Sequence, residues 1–161
     1  MNREEVLEFM NEIDISVVAF PKESNGVVAF EPLRKITTME GKINFSALIT
    51  IEYKKELTYE LTLNLLKLVS NTESQVKAFK LGKIRFNDQN QLISDDEVLK
   101  SDTSNNAKLI DVKPYEHTKT IRYNFNNVPL DGSGVYYLSV GIDDGDNFFS
   151  LKSVPIEVTS I

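Results

Sequence analysis

The chain has 161 residues, no cysteine and a formal net charge of -6, a length that fits one domain with a sizeable hydrophobic core. The missing cysteine excludes disulfides, thiolate metal sites and cysteine nucleophiles. The acidic balance argues against nucleic acid as a partner, and no apolar run reaches membrane-spanning length. The N-terminal segment is too charged for a signal peptide, so we expect an intracellular, cytoplasmic protein.

The chain opens with a predicted amphipathic helix over residues 2–13. Its apolar residues recur at helical spacing, and they are Val6, Phe9, Met10 and Ile13. Asn2 and Glu5 fit the pattern of a capping box. The helix either packs on its own sheet or projects as an arm that binds a partner. Short helices usually need tertiary packing to form, which favours the first interpretation.

Two short strands are predicted next, at Ile15–Phe20 and Val27–Phe30. Pro21 follows the first strand and Pro32 closely follows the second. Because proline removes a donor from the ladder of a sheet, each proline marks a strand end or an edge.

Residues 43–53 and 57–65 alternate with a period of two, which is typical of strands with one buried and one solvated face. Odd positions are apolar, and even positions are polar except Leu48. The predicted solvated face consists of Asn44, Ser46, Thr50, Glu52, Thr58, Glu60, Thr62 and Asn64. The shared parity permits two connections: a three-residue hairpin loop at Lys54–Glu56, or an arch between two sheets.

The remaining elements are read from the same alternation and from turn residues. Residues 76–86 predict a bulged strand or a strand pair around Gly82, and residues 88–106 a polar, mobile loop. Further strands are predicted at 107–112, 117–125 and 135–142, and from Phe148 onward. The apolar phase slips near Lys152 and Ser153, so we expect a bulge there.

This pattern gives seven to nine short strands with turn signals between them. We therefore predict a mainly β, antiparallel sandwich with a short N-terminal α-helix, spanning residues 1–161 as one domain.

Few residues offer catalytic or ligand chemistry. His117 is the only histidine, which excludes multi-histidine metal sites. It shares the predicted core face of Ile121, Tyr123 and Phe125. A catalytic base needs an oriented partner that the sequence does not supply, so we assign no catalytic residue.

An acidic turn near the C-terminus offers clustered oxygen ligands, namely Asp143, Asp144, Asp146 and Asn147. Calcium prefers such ligands, but the spacing is not that of an EF-hand. Because Asp-Gly is a common hairpin turn, the turn interpretation is favoured and no metal ligand or cofactor is assigned.

Two further segments resemble ligand-binding motifs but also have simpler interpretations. Basic residues interleave with Phe79 and Phe86, a pattern that can grip single-stranded nucleic acid; they are Lys77, Lys80, Lys83 and Arg85. The segment Asp131–Gly134 superficially resembles a phosphate-binding loop. It leads into a strand and lacks the following lysine, which favours a turn.

The C-terminal segment resembles the last hairpin of small bacterial and phage immunoglobulin-like sandwich proteins. The matching features are Gly134, Tyr136, Val140, the Asp144-Gly145 turn and the strand Val154–Val158. The resemblance implies an immunoglobulin-like fold. Together with the missing catalytic set, it predicts a non-enzymatic module that contacts a partner protein or a second copy in a bacterial or phage assembly. The alternative is a carbohydrate or calcium module that uses the Asp143–Asn147 turn or exposed tyrosines.

Overall fold

The computed structural model describes residues 3–22, 31–53, 60–68, 76–86, 92–94, 106–110, 118–143 and 147–161. These residues form one helix and ten strands. In chain order they are α1 Arg3–Glu12, β1 Ile13–Pro21, β2 Lys35–Thr38, β3 Lys42–Tyr53, β4 Leu61–Leu68, β5 Val76–Phe86, β6 Leu92–Ser94, β7 Asn106–Ile110, β8 Thr118–Pro129, β9 Gly134–Asp143 and β10 Phe148–Ser160.

The strands form two sheets, which confirms a mainly β protein. One sheet has four strands in the order β1-β3-β8-β7, and the other has six in the order β2-β10-β9-β4-β5-β6. The strand count exceeds the expected range because the short strands β2 and β6 carry little sequence signal. The expectation of wholly antiparallel pairing is wrong at one place, since β2 runs parallel to the end of β10, with Lys35 beside Glu157.

The two alternating runs lie in opposite sheets. β3 pairs with β1 and β8, whereas β4 pairs with β5 and β9. The hairpin interpretation is therefore wrong and the arch is confirmed. Either connection would keep the odd-numbered residues of the two strands in one core. A hairpin would place them on the same face of one sheet, and an arch places them on the facing sides of two sheets.

The core lies between the sheets and is formed by the predicted faces. Phe45, Ile49, Leu63 and Leu65 are fully buried. Burying one such side chain contributes about 1.5–3 kcal/mol. Four of the interior strands, β3, β4, β8 and β9, supply most of the cluster: Ile43, Phe45, Ala47, Ile49, Ile51, Leu61, Leu63, Leu65, Ile121, Tyr123, Phe125, Val128, Tyr136, Leu138, Val140 and Ile142.

The predicted solvated face is wrong at three residues. Ser46, Thr62 and Asn64 are only 2%, 2% and 4% exposed. Ser46 lies on β3 between two neighbouring strands and donates a 2.6 Å hydrogen bond to Asn124 Oδ1. β4 is likewise flanked on both sides. Cross-strand neighbours therefore cover short polar side chains in the middle of each sheet.

Among the described side chains of helix α1, Phe9 is the one that joins the core. It is 5% exposed and belongs to the core cluster. Met10 is 44% exposed, so the apolar face of the helix is only partly buried. The chain leaves the helix at Glu12, and Ile13 already opens β1. Within the described ranges, no helix is long and apolar enough to cross a membrane.

Both predicted bulges are present. The pairing of β9 with β10 shifts between Ser150 and Lys152, one residue before the predicted position. The pairing of β4 with β5 shifts beside Gly82. Near the first bulge the strands approach closely, and a Cβ added to Gly141 would clash with the Phe149 carbonyl oxygen. Only glycine fits there.

Several predicted features lie outside the described residues. They are the strand Val27–Phe30, the connection Lys54–Glu56, most of the loop 88–106, and His117.

Two buried tyrosines give a matched test of the core. Tyr123 Oη is buried and has no hydrogen-bond partner among the described residues, whereas Tyr136 Oη makes two hydrogen bonds. An unsatisfied buried polar group costs about 1–3 kcal/mol. We therefore expect Tyr123→Phe to leave the free energy of unfolding unchanged or raise it, and Tyr136→Phe to lower it by about 1–2 kcal/mol. Urea unfolding measures both, and equal destabilisation by the two variants would contradict this assignment.

Tyr123 also predicts a loss of stability at alkaline pH. Burial raises the pKa of Tyr123 above its ordinary value of 10.0. Above that pH the unfolded chain loses this proton while the folded chain retains it, so the free energy of unfolding falls as pH rises. The Tyr123→Phe variant should show a shallower fall in a urea titration above pH 10. Identical slopes for the variant and the parent chain would rule out this contribution.

Candidate functional site

An open seam runs along one side of the sandwich between β1 and β10. β1 is an edge strand that pairs with β3 alone. β2 covers only the last part of β10, from Glu157 to Ser160. The earlier part of β10 therefore has a neighbour only in β9 among the described strands. Within the described part of the chain, both sheets thus present an uncovered strand edge to the seam.

The backbone of β1 directs alternate residues into the seam. The Ala19 carbonyl accepts a 2.7 Å hydrogen bond from Leu33 N–H, on the side away from β3. Alternate residues of a strand direct their N–H and C=O groups to the same side. Val17 and Ile15 therefore also direct theirs into the seam, and β1 has no other strand partner among the described residues to accept them.

The opposite edge, on β10, is blunted by a proline. Glu157 N–H donates a 2.8 Å hydrogen bond to the Arg34 carbonyl, so Pro155 and Ser153 also turn their backbone towards the seam. Pro155 has no N–H to offer there, as is usual for proline on a strand edge. β1 is therefore the better template for an added strand.

A cleft of about 450 Å³ lies in the seam, and we call it the seam groove. Its volume is within the range of ligand-binding clefts. The walls are mostly apolar, and the exposed Val135 stands at the rim, 42% accessible. The lining residues are Val17, Val18, Ala19, Pro32, Leu33, Arg34, Lys35, Val135, Val154, Pro155 and Glu157.

The charges of the seam groove are grouped among three residues. Lys35 Nζ lies 3.8 Å from Glu157 Oε2, in an exposed ion pair that contributes little to stability. Arg34 is exposed and forms no ion pair with another described residue. The groove therefore carries one positive charge in excess, on a chain whose net charge is -6.

A second, smaller hollow of about 190 Å³ continues the seam towards α1. It lies where Ile15 faces Leu151, the residue at the β10 bulge. Met10 and Lys152 also line it. The uncovered edge of β1 thus extends beyond the seam groove itself.

The glycine-rich segment Asp131–Gly134 is a closed turn. Tyr136 Oη donates to the Gly132 carbonyl at 2.8 Å and accepts from Asp131 N–H at 2.9 Å. Lys67 Nζ donates to the Asp131 carbonyl and lies 5.5 Å from the centre of the Tyr136 ring. Burial raises the pKa of Tyr136, and the backbone hydrogen bond from Asp131 opposes that rise. The turn interpretation is confirmed, because side chains of the protein itself, Tyr136 and Lys67, hold the backbone of the segment, and the segment opens β9.

The other residues considered for chemistry are only partly described. Asp143 and Asn147 flank the acidic turn, while 144–146 and His117 lie outside the described residues. In the described part of the chain, no cluster of three acidic, histidine or cysteine residues could hold a metal ion. Of the basic residues near Phe79, Lys80 is exposed. Lys83 forms an ion pair with Glu60, with Nζ 3.3 Å from Oε1.

Sequence reasoning missed the seam groove. Pro32, Leu33 and Arg34 lie between strands and follow no period, so alternation does not reveal them. One signal was present: Pro155 lies within the predicted last strand, and proline inside a strand indicates an edge.

Comparison with known proteins adds little. No protein-family model matches, and no curated protein matches. Among solved structures, the chain is similar to two of a beta-glucosidase from Listeria innocua, in complex with gluconolactone and with isofagomine. Each match has 9% sequence identity and a TM-score of 0.40. It covers 91% of the present chain but only 16% of the beta-glucosidase chain. Such a score does not establish a shared fold.

The closed turn predicts a structural role for Lys67. Lys67→Met removes the hydrogen bond to the Asp131 carbonyl and the cation above Tyr136, so it should lower the free energy of unfolding by about 1 kcal/mol. The control Lys152→Met removes an exposed lysine and should change stability little. Thermal unfolding with and without inorganic phosphate measures both effects. A phosphate-dependent rise in melting temperature that requires Lys67 would contradict the closed-turn assignment.

Proposed function

We propose that this chain is a non-enzymatic β-sandwich module that binds a partner protein through the seam groove. One observation carries the proposal, namely that the edge of β1, which no described strand covers, lies beside a mostly apolar cleft. An exposed strand edge is a ready template for pairing with another chain. Apolar lining next to such an edge adds surface that a partner can bury.

The sequence of β1 supports this use of its edge. Proteins commonly protect exposed edges with lysine, proline or bulges. β10 has both Pro155 and a bulge. β1 instead pairs with β3 in unbroken register over its whole length, contains no lysine, and reaches a proline only at its last residue, Pro21. Of the two strand edges that line the groove, β1 is thus the less protected one.

We further propose that the sandwich is immunoglobulin-like and belongs to a bacterial or phage assembly, as the C-terminal resemblance implies. Tyr136 supports the fold proposal. It lies near the start of β9, and its hydroxyl bonds to backbone a few residues upstream. Immunoglobulin domains use the same arrangement, the tyrosine corner.

Site-specific crosslinking tests the proposed function. A photo-reactive amino acid replaces Val135 at the rim of the seam groove, and the control replaces Glu52, an exposed residue of β3 away from the groove. In the cells that naturally contain this chain, we expect one dominant protein adduct at position 135 and none at position 52. Equal adduct patterns at both positions would contradict a binding site in the groove.

The captured protein is then purified and titrated against variants of the full chain. Val135→Lys places a charge on an apolar wall and should weaken binding at least tenfold, which is about 1.4 kcal/mol. Leu7→Lys changes a residue of similar exposure on α1 and should leave affinity unchanged. If both variants bind like the parent chain, the groove is not the binding site.

A further inference from the structure

We propose that the seam groove takes an extended peptide segment that adds as a strand to β1 and places a carboxylate on Arg34. This proposal rests on the proposed function and specifies its partner. The ligand class is a linear stretch with alternating apolar side chains and an acidic residue near one end. Three independent features of the groove determine this choice.

The first feature is the backbone of β1. Val17 directs both its N–H and its C=O into the seam, and Ala19 directs its N–H there. Among the described residues outside β3, only Leu33 bonds to one of these residues, at the Ala19 carbonyl. These groups match the pattern that an added strand satisfies. The edge from Ile15 to Ala19 suits a peptide of about four to six residues, at about 3.3 Å per residue.

The second feature is the apolar surface beside that edge. Val154 and Val135 both line the groove from the other sheet, where Val154 packs against the core and Val135 lies on the opposite, outer face. Successive side chains of a strand point to opposite faces. Every second side chain of a strand added to β1 would therefore point towards the core side of the groove, where Val154 lies, which explains the requirement for alternating apolar residues.

The third feature is the charge of Arg34. Lys35 has Glu157 as its partner, whereas Arg34 has no carboxylate partner among the described residues. A guanidinium group binds a carboxylate through two parallel hydrogen bonds. The Arg34 carbonyl is held by Glu157 N–H at 2.8 Å, which fixes the backbone of this residue at one end of the groove. An acidic peptide residue at that end would set the register of the added strand.

Selection from a phage-displayed library of random linear peptides against the full chain tests this inference. We expect enriched sequences with apolar residues at alternate positions and one aspartate or glutamate near an end. Binding should fall at least tenfold for Val135→Lys and stay unchanged for Leu7→Lys. Failure to enrich any peptide, or equal binding to Val135→Lys, would overturn the inference.

Two changes to a selected peptide separate its backbone and charge contributions. One version of the peptide is N-methylated at its odd positions and another at its even positions. One version should lose binding and the other should bind almost normally, because only one set of amides faces β1. Replacing the acidic residue by its amide should weaken binding about tenfold to the parent chain but not to Arg34→Ala. If both N-methylated peptides lose affinity equally, strand addition is contradicted. If the amide peptide loses as much affinity for Arg34→Ala as for the parent chain, the role of Arg34 is contradicted.

The two proposals fail in distinguishable ways. A specific protein adduct at position 135 without any enriched peptide would retain the protein-binding function and remove the peptide ligand. Enriched peptides without a cellular adduct would retain the peptide site and remove the proposed cellular function. A second copy of this chain as the adduct would identify self-association as the function and remove the peptide proposal.

Discussion

Leu33 and Arg34, which hydrogen-bond to both sheets just before β2, determine the shape of the candidate site. Leu33 N–H binds the Ala19 carbonyl of the four-stranded sheet, and the Arg34 carbonyl accepts from Glu157 N–H of the six-stranded sheet. The chain therefore crosses the seam at this point and enters β2 parallel to β10. Because β2 begins only at Lys35, it leaves the earlier edge of β10 uncovered, and the same crossing holds Arg34 at the end of the groove. The parallel pairing of β2 with β10, the open seam and the position of Arg34 all follow from the passage of the chain from one sheet to the other at this point.

The sequence predicted the core much better than it predicted strand pairing. Alternation in β3 and β4 identified Ile43, Phe45, Leu61 and Leu63 as buried, since burial of one face imposes that period. The same alternation could not choose between a hairpin and an arch, because either connection keeps odd residues on one face. Alternation also could not show that Asn64 is buried. A polar residue in the middle of a broad sheet is covered by its neighbours, and its neighbours are known only after the strand order is known.

The candidate site was less predictable than the core for a related reason. Its residues come from β1, from the connection at 31–34 and from β10, which are far apart in sequence and close only in the folded chain. Arg34 has no period and no motif. The composition of the glycine-rich segment Asp131–Gly134 resembles that of a phosphate-binding loop. In the folded chain the segment is a turn whose backbone bonds to the Tyr136 hydroxyl. Composition indicates where the backbone needs unusual freedom, and that need arises at turns as readily as at ligand sites.

The difference between the two seam edges indicates how a sandwich can keep one edge available for binding while limiting aggregation. β10 is blunted by Pro155 and by the register shift after Ser150. Among the described residues, the edge of β1 pairs with no strand on its outer side, and it lies beside a groove lined by Arg34 and by Val154 of the other sheet. An added segment with a carboxylate would satisfy both the backbone of β1 and the charge of Arg34, whereas the edge of another sheet would satisfy the backbone alone. A requirement for a negative charge at Arg34 would therefore favour one acidic segment over non-specific pairing of sheet edges.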